Sequence, residues 1–107
     1  MGDYIQEKGK PPMSAYVVLI RNSMKDPAEF AIYGQKAAAA RGDHPIRPIV
    51  AYGACEVLEG DPAEGAVIIE FPDMAAARAW YESPAYQEAK AHRLKGADYR
   101  VLLLEGL

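Results

Sequence analysis

The run Tyr16-Val17-Val18-Leu19-Ile20 is apolar at every position. Successive side chains of a strand point to opposite faces, so a strand of this kind needs cover on both sides. Its β-branched and aromatic content argues for a strand, here Ala15 to Arg21, rather than a helix. The end of the chain repeats the property, with Leu102 and Leu104 alternating with Val101 and Leu103. An antiparallel sheet with one wet face alternates apolar and polar residues. These two segments do not.

The rest of the chain supplies the partners. Asp26-Pro27-Ala28-Glu29 carries a helix start: Asp26 as cap, Pro27 in the first turn, and Glu29 completing a capping-box-like pair. The spacing predicts a helix over 27–41, with Phe30, Tyr33 and Ala37 facing the sheet and the alanine run Ala37 to Ala40 favouring helix. Residues 49–58 read as a second strand with Gly53 as a bulge or bend, then Glu59 to Gly65 as a hairpin loop. Residues 66–71 form a third strand, with Val67, Ile69 and Phe71 on one face and Ile68 and Glu70 on the other. Pro72-Asp73 and Ser83-Pro84 open helices over 74–82 and 85–94, and 99–104 is the last strand. The order β-α-β-β-α-α-β gives an α+β, ferredoxin-like βαββαβ antiparallel sheet with its helices on one face. Residues 13–107 are expected to form that single domain, and residues 1–12, with Gly2, Gly9, Pro11 and Pro12 among charges, a flexible N-terminal arm.

Helices on one face leave the other face of such a sheet open. Burial of apolar surface contributes about 25 cal/mol per Å², so an apolar sheet face is expected to be covered. A second copy packed sheet to sheet is the economical cover, and a homodimer is the expectation. The plainer alternative is that the strands are merely rich in Val and Leu.

A net charge of −3, with no clustered Lys and Arg, argues against nucleic acid and against an anionic membrane surface as partners. No apolar run approaches the length of a membrane span. The single cysteine, Cys55, excludes an intramolecular disulfide, and the polar first dozen residues do not read as a signal peptide. A cytoplasmic location follows as the default. The histidines, His44 and His92, are far apart and unpaired in sequence, so neither a metal nor any cofactor is expected. Cys55 reads as a buried structural thiol and His92 as a helix-surface residue, while His44, in a loop beside Pro45, is a residue for a pocket mouth.

Glu56 and Glu70 each fall within a predicted apolar strand. A carboxylate there needs a partner or a raised pKa, and a raised pKa suits proton transfer. The catalytic expectation is therefore Glu56 or Glu70 as proton carrier, a tyrosine (Tyr33, Tyr16 or Tyr81) on the substrate oxygen, and Arg93 or Arg100 balancing charge. The structural alternative is a salt bridge from either glutamate to Arg93 or Arg100. Tyr16, Tyr33, Tyr52 and Tyr81 are expected to line a small-molecule cavity, with Trp80 beside it in the core.

From Met13 onward the chain resembles a small bacterial family, domain of unknown function 1330, within the dimeric α+β barrel superfamily. The resemblance is carried by Ala15-Tyr16-Val17, Asp26-Pro27 with Tyr33, Gly53 with Glu56-Val57-Leu58-Glu59-Gly60, and Ile69-Glu70-Phe71-Pro72. It continues through Ala76-Ala77-Arg78-Ala79-Trp80-Tyr81, Ser83-Pro84-Ala85-Tyr86, Arg93 and Arg100-Val101-Leu102. It implies a dimer built as a sheet-against-sheet barrel and no settled activity. The wider superfamily implies cofactor-free oxygenases, isomerases, lyases and cyclases. Relatives commonly carry Arg-Gly-Gly late in the second strand, where this chain has Ala51-Tyr52-Gly53; if that arginine holds an anionic ligand in relatives, this chain has lost it or replaced it with Arg47 or His44. The function expected is a homodimer with a pocket for a small, largely apolar organic molecule and cofactor-free acid/base chemistry. The alternative is a non-catalytic binding or accessory dimer.

Overall fold

The computed structural model describes residues 13–107; the expected N-terminal arm lies outside them. The elements run β1 (Ala15–Met24), α1 (Pro27–Ala39), β2 (Arg47–Ala51), β3 (Gly65–Phe71), α2 (Met74–Glu82), α3 (Pro84–Gly96) and β4 (Ala97–Glu105). The strands form one antiparallel sheet in the order β2-β3-β1-β4. The ferredoxin-like arrangement follows: the strand that is apolar on both faces is central.

The helices start where the capping residues stand. The Asp26 carboxylate accepts from the backbone N–H groups of Ala28 (3.0 Å) and Glu29 (3.3 Å), Asp73 accepts from Ala76 (2.8 Å), and Ser83 Oγ accepts from Tyr86 (3.2 Å). Val17 and Leu19 of β1, with Ile69 and Phe71 of β3, point at the helices and are buried with Ala77, Trp80, Tyr86 and Ala89.

The other face carries three rows across the sheet, set by the register. Arg47, Glu70, Tyr16 and Leu104 make the first; Val50, Ile68, Val18 and Leu102 the second; Ala66, Ile20 and Arg100 the third. The middle row is wholly apolar, and Val50 and Leu102 are exposed in the single chain.

The second strand departs from the expected 49–58. Pairing stops at Ala51 because Tyr52 takes a left-handed backbone (φ 57°), which no strand continues. Pro48 is tolerated because β2 is an edge strand with a register shift before Val50. Residues 52–62 are exposed, so Glu56 and Cys55 sit on a solvent-facing loop rather than inside a strand, and Cys55 is not a buried thiol. β1 and β4 each run beyond the predicted ends through their mutual pairing.

α1 packs along α3, and the join between α3 and β4 is close. The Gly96 carbonyl accepts from the backbone N–H groups of Lys25 (2.8 Å) and Asp26 (2.9 Å). A Cβ on Gly96 would lie 2.7 Å from Phe30 N and 2.9 Å from Phe30 Cα. Gly96→Ala should therefore push α1 off α3 and cost about 1–3 kcal/mol, the scale of overpacking. Thermal denaturation should show a clear loss, and an unchanged melting temperature would refute the close contact.

Candidate functional site

Small residues create the cavity. The sheet-facing side of α1 presents Gly34, Ala37 and Ala38, whose short side chains do not fill the space above β2 and β3. What remains is a recess of about 440 Å³ walled by Leu19, Val67 and Ile69 of the sheet and by Phe30, Tyr33, Trp80 and Tyr86 of the helices. Arg41, Ile46 and Tyr52 stand among its other lining residues. The recess has the largely apolar and aromatic character of small-molecule sites.

Its polar feature is a pair of phenols. The Tyr33 and Tyr86 hydroxyls are hydrogen-bonded at 2.9 Å, and both residues are buried. Burial, and then the neighbouring Tyr86, push the Tyr33 phenol far above its usual range. Burial also raises Tyr86, against the opposing pull of Tyr33 and Arg93. Both therefore stay protonated at neutral pH. Either hydroxyl can donate to the other.

Arg93 lies behind this pair. It is only 3 % exposed, its guanidinium carbon sits 5.9 Å from the Tyr33 ring centre and 5.2 Å from that of Tyr99, and its Nε has no hydrogen-bond partner among the described residues. Tyr99 in turn hydrogen-bonds Tyr52 through the two hydroxyls. Burial, then this bond, raise the Tyr99 phenol. Arg21 lies against the rings of both Phe30 and Tyr52 at 5.1 Å. This clamp holds Tyr52 in its left-handed backbone, a conformation that costs a non-glycine residue about 1–3 kcal/mol.

A second recess, about 660 Å³, lies on the opposite face beside Ser14, Tyr16, Arg47, Glu70 and Gly106. Here Glu70 accepts from Arg47 Nε at 2.8 Å and from the Tyr16 hydroxyl at 3.0 Å. Arg47, then Tyr16, hold the Glu70 carboxyl below the usual carboxylate range. A carboxylate held ionised is a poor proton carrier near neutral pH.

The residues expected to act together are thus divided between two faces. Tyr33, Tyr52 and Trp80 meet at the helix-side cavity with Arg93 behind them. Glu70 and Tyr16 share the other face, and the salt bridge expected from Glu70 to Arg93 or Arg100 is made instead to Arg47, its cross-strand neighbour. Arg100 is exposed on that face, opposite Ile20. Glu56 lies on the exposed loop, and Tyr81 packs on Trp80 and Tyr86 beside a separate small recess. His44 sits in the turn after α1 and lines neither of the two larger recesses. His92 is half-buried against Glu29, at 2.8 Å through Nδ1.

Sequence reasoning did not assign Tyr86, Tyr99, Arg21 or the small residues of α1 to a site. Tyr86 and Tyr33 lie 53 positions apart, and only the packing of α3 on α1 joins them. Among the described residues no group of three or more His, Cys, Asp or Glu is gathered for a metal, and no helix is long and apolar enough to cross a membrane.

The fold belongs to a known class. The sequence matches the family described as "Domain of unknown function (DUF1330)" over residues 14–107, and the chain belongs to that family. No curated protein matches it. Among solved structures it is similar to a protein of unknown function from Rhodopseudomonas palustris, with 22% identity, 88% of this chain and 82% of that chain covered, and a TM-score of 0.66. A dimeric ferredoxin-like protein of unknown function from Thermobifida fusca shares 15% identity over 94% of this chain and 97% of its own, with a TM-score of 0.64. SnoaB from Streptomyces nogalater, a cofactor-independent oxygenase, shares 17% identity over 86% and 90%, with a TM-score of 0.56. At these identities the likeness establishes the fold.

Two outcomes test the geometry. Tyr33→Phe and Tyr86→Phe each leave a buried hydroxyl without its partner, at a cost of about 1–3 kcal/mol, whereas the double variant should lose much less than the sum; denaturant titration of the cycle measures the coupling, and additive losses would break the pair. Glu70 has a folded-state pKa below its unfolded value of roughly 4.3. Its contribution is full above that value and is lost as pH falls through the lower folded pKa. The stability gap between the wild type and Glu70→Gln should therefore shrink on acidification in thermal melts, and a gap independent of pH would contradict the Arg47 pairing.

Proposed function

We propose that this chain is a homodimer whose helix-side cavity binds a small, largely apolar, ring-containing organic molecule, with the Tyr33–Tyr86 hydroxyl pair meeting an oxygen of that molecule. The observation that carries the reading is the recess itself: about 440 Å³ of aromatic and aliphatic wall that includes Tyr33 and Tyr86, whose hydroxyls are paired. The chemistry that fits is cofactor-free. A phenol that stays protonated donates to a carbonyl oxygen and stabilises the enolate that forms when a neighbouring C–H is lost. SnoaB lends this fold a precedent for catalysis without a cofactor.

A second reading, a non-catalytic binding dimer, is favoured by one specific observation. The cavity lining contains no carboxylate and no imidazole to accept a proton. Glu70 is on the opposite face, held ionised by Arg47. Turnover without an internal base would need the substrate or water to accept the proton.

A thermal-shift screen of small aromatic carbonyl and hydroxyl compounds distinguishes the cavity from the second recess. Ala37→Leu fills the helix-side space and should abolish any shift while the protein still melts cooperatively. A shift that survives Ala37→Leu would refute the cavity. Tyr33→Phe separates the two readings: it should weaken binding by about tenfold in both, the worth of one hydrogen bond, but only an enzyme would also lose turnover of the bound compound.

The dimer rests on the apolar middle row of the open face, and two structural neighbours are described as dimeric. Sedimentation velocity at micromolar concentration should give twice the 11.7 kDa chain mass. Leu102→Asp, which places a carboxylate in that row, should give monomer or unfolded chain. A wild-type monomer would overturn the assembly.

A further inference from the structure

Arg93 is the one buried charged residue among those described. A guanidinium keeps its charge in proteins, and burying a charge without an opposite one is costly. No carboxylate lies within ion-pair distance of Arg93 among the described residues. The acids Glu29 and Glu88, which bridge α1 and α3, are already bound to His92 and Lys36. Arg93 is met instead by neutral phenols, against the rings of Tyr33 and Tyr99, and its Nε is left without a partner. Two tyrosines close to this cation, Tyr33 and Tyr86, form part of the cavity wall. The lining adds a second cation, Arg41, and no acid.

We infer that the ligand of this cavity carries an acidic oxygen, a carboxylate or a phenol or enol bound as its anion, seated against the Tyr33–Tyr86 hydroxyls with Arg93 supplying the opposite charge from behind them. The inference rests on the cavity reading above and narrows it to a substrate class. Arg93 is a positioning residue here. It does not line the cavity; its field polarises the hydroxyl pair, so that this part of the wall meets an anion better than a neutral oxygen. Low surrounding polarity keeps that field strong over the few ångströms involved. The same arrangement explains why a chain would keep a buried arginine that has phenols but no carboxylate beside it: the ligand supplies the opposite charge.

The test compares bicyclic probes of one shape by isothermal titration of the full chain: 2-naphthoate, its neutral analogue 2-naphthamide, and 2-naphthol. The wild type should bind 2-naphthoate or the ionised form of 2-naphthol at least about tenfold more tightly than the amide, the scale of one charge-assisted hydrogen bond. Naphthoate preference assigns a carboxylate; absorbance of bound 2-naphthol as its anion, with naphthoate excluded, assigns a phenol or enol. Arg93→Met should erase the preference while keeping amide affinity, and Arg93→Lys should restore part of it; a purely structural arginine would lower both affinities together. Equal binding of the charged and neutral probes by the wild type overturns the inference and leaves the cavity reading intact, and this comparison needs no variant to fold. Absence of binding by all three probes, or binding unaffected by Ala37→Leu, overturns the cavity reading and the inference with it.

Discussion

Everything in this domain is arranged around a central strand that water cannot be allowed to reach from either side. β1 pairs with β3 on one edge and β4 on the other, and buries Val17 and Leu19 under the helices. Its alternate residues, Val18 and Ile20, head the rows of the opposite face. Placing such a strand at the centre satisfies its backbone on both edges and one of its faces at once. The second face then needs its own cover, which ties the assembly of the protein to the composition of a single strand.

The helix layer is less completely filled. α1 packs on α3 through close contacts at Phe30 and Gly96, while its small residues Gly34, Ala37 and Ala38 line the gap towards β2 and β3 without filling it. Protein interiors are normally dense, so a recess of this size lined by aromatic rings stands out against the packing around it. Arg93 touches members of two hydrogen-bonded tyrosine pairs, Tyr33–Tyr86 and Tyr52–Tyr99, and burial raises three of those phenols. The two glutamates of the sequence reading belong elsewhere: Glu70 to an ion pair on the open face, Glu56 to solvent.

The places where the sequence misled are instructive for a physical reason. Val57 and Leu58 have strand-forming side chains, yet nothing in local propensity reveals that Tyr52 turns left-handed and that the strand ends at Ala51, seven residues before Leu58. The sequence offers Arg93 and Arg100 as partners for Glu70, whereas the register brings Arg47 directly opposite it. Register is a property of two strands together, and neither strand states it alone.

What the sequence determined by itself is what depends on short-range periodicity and capping: the order of elements, the helix starts at Asp26, Asp73 and Ser83, the two apolar faces of β1, and Trp80 in the core. Those features need only neighbours within a turn or a strand. What the tertiary structure decided is which distant residues meet. Tyr33 finds Tyr86, Tyr52 finds Tyr99, and Arg93 is buried among them without a carboxylate, because α1, α3 and β4 close on one another from distant parts of the chain. The cavity has the same origin: an alanine run reads in sequence as helix propensity, and only when that helix is set over the sheet do its missing side chains become a space.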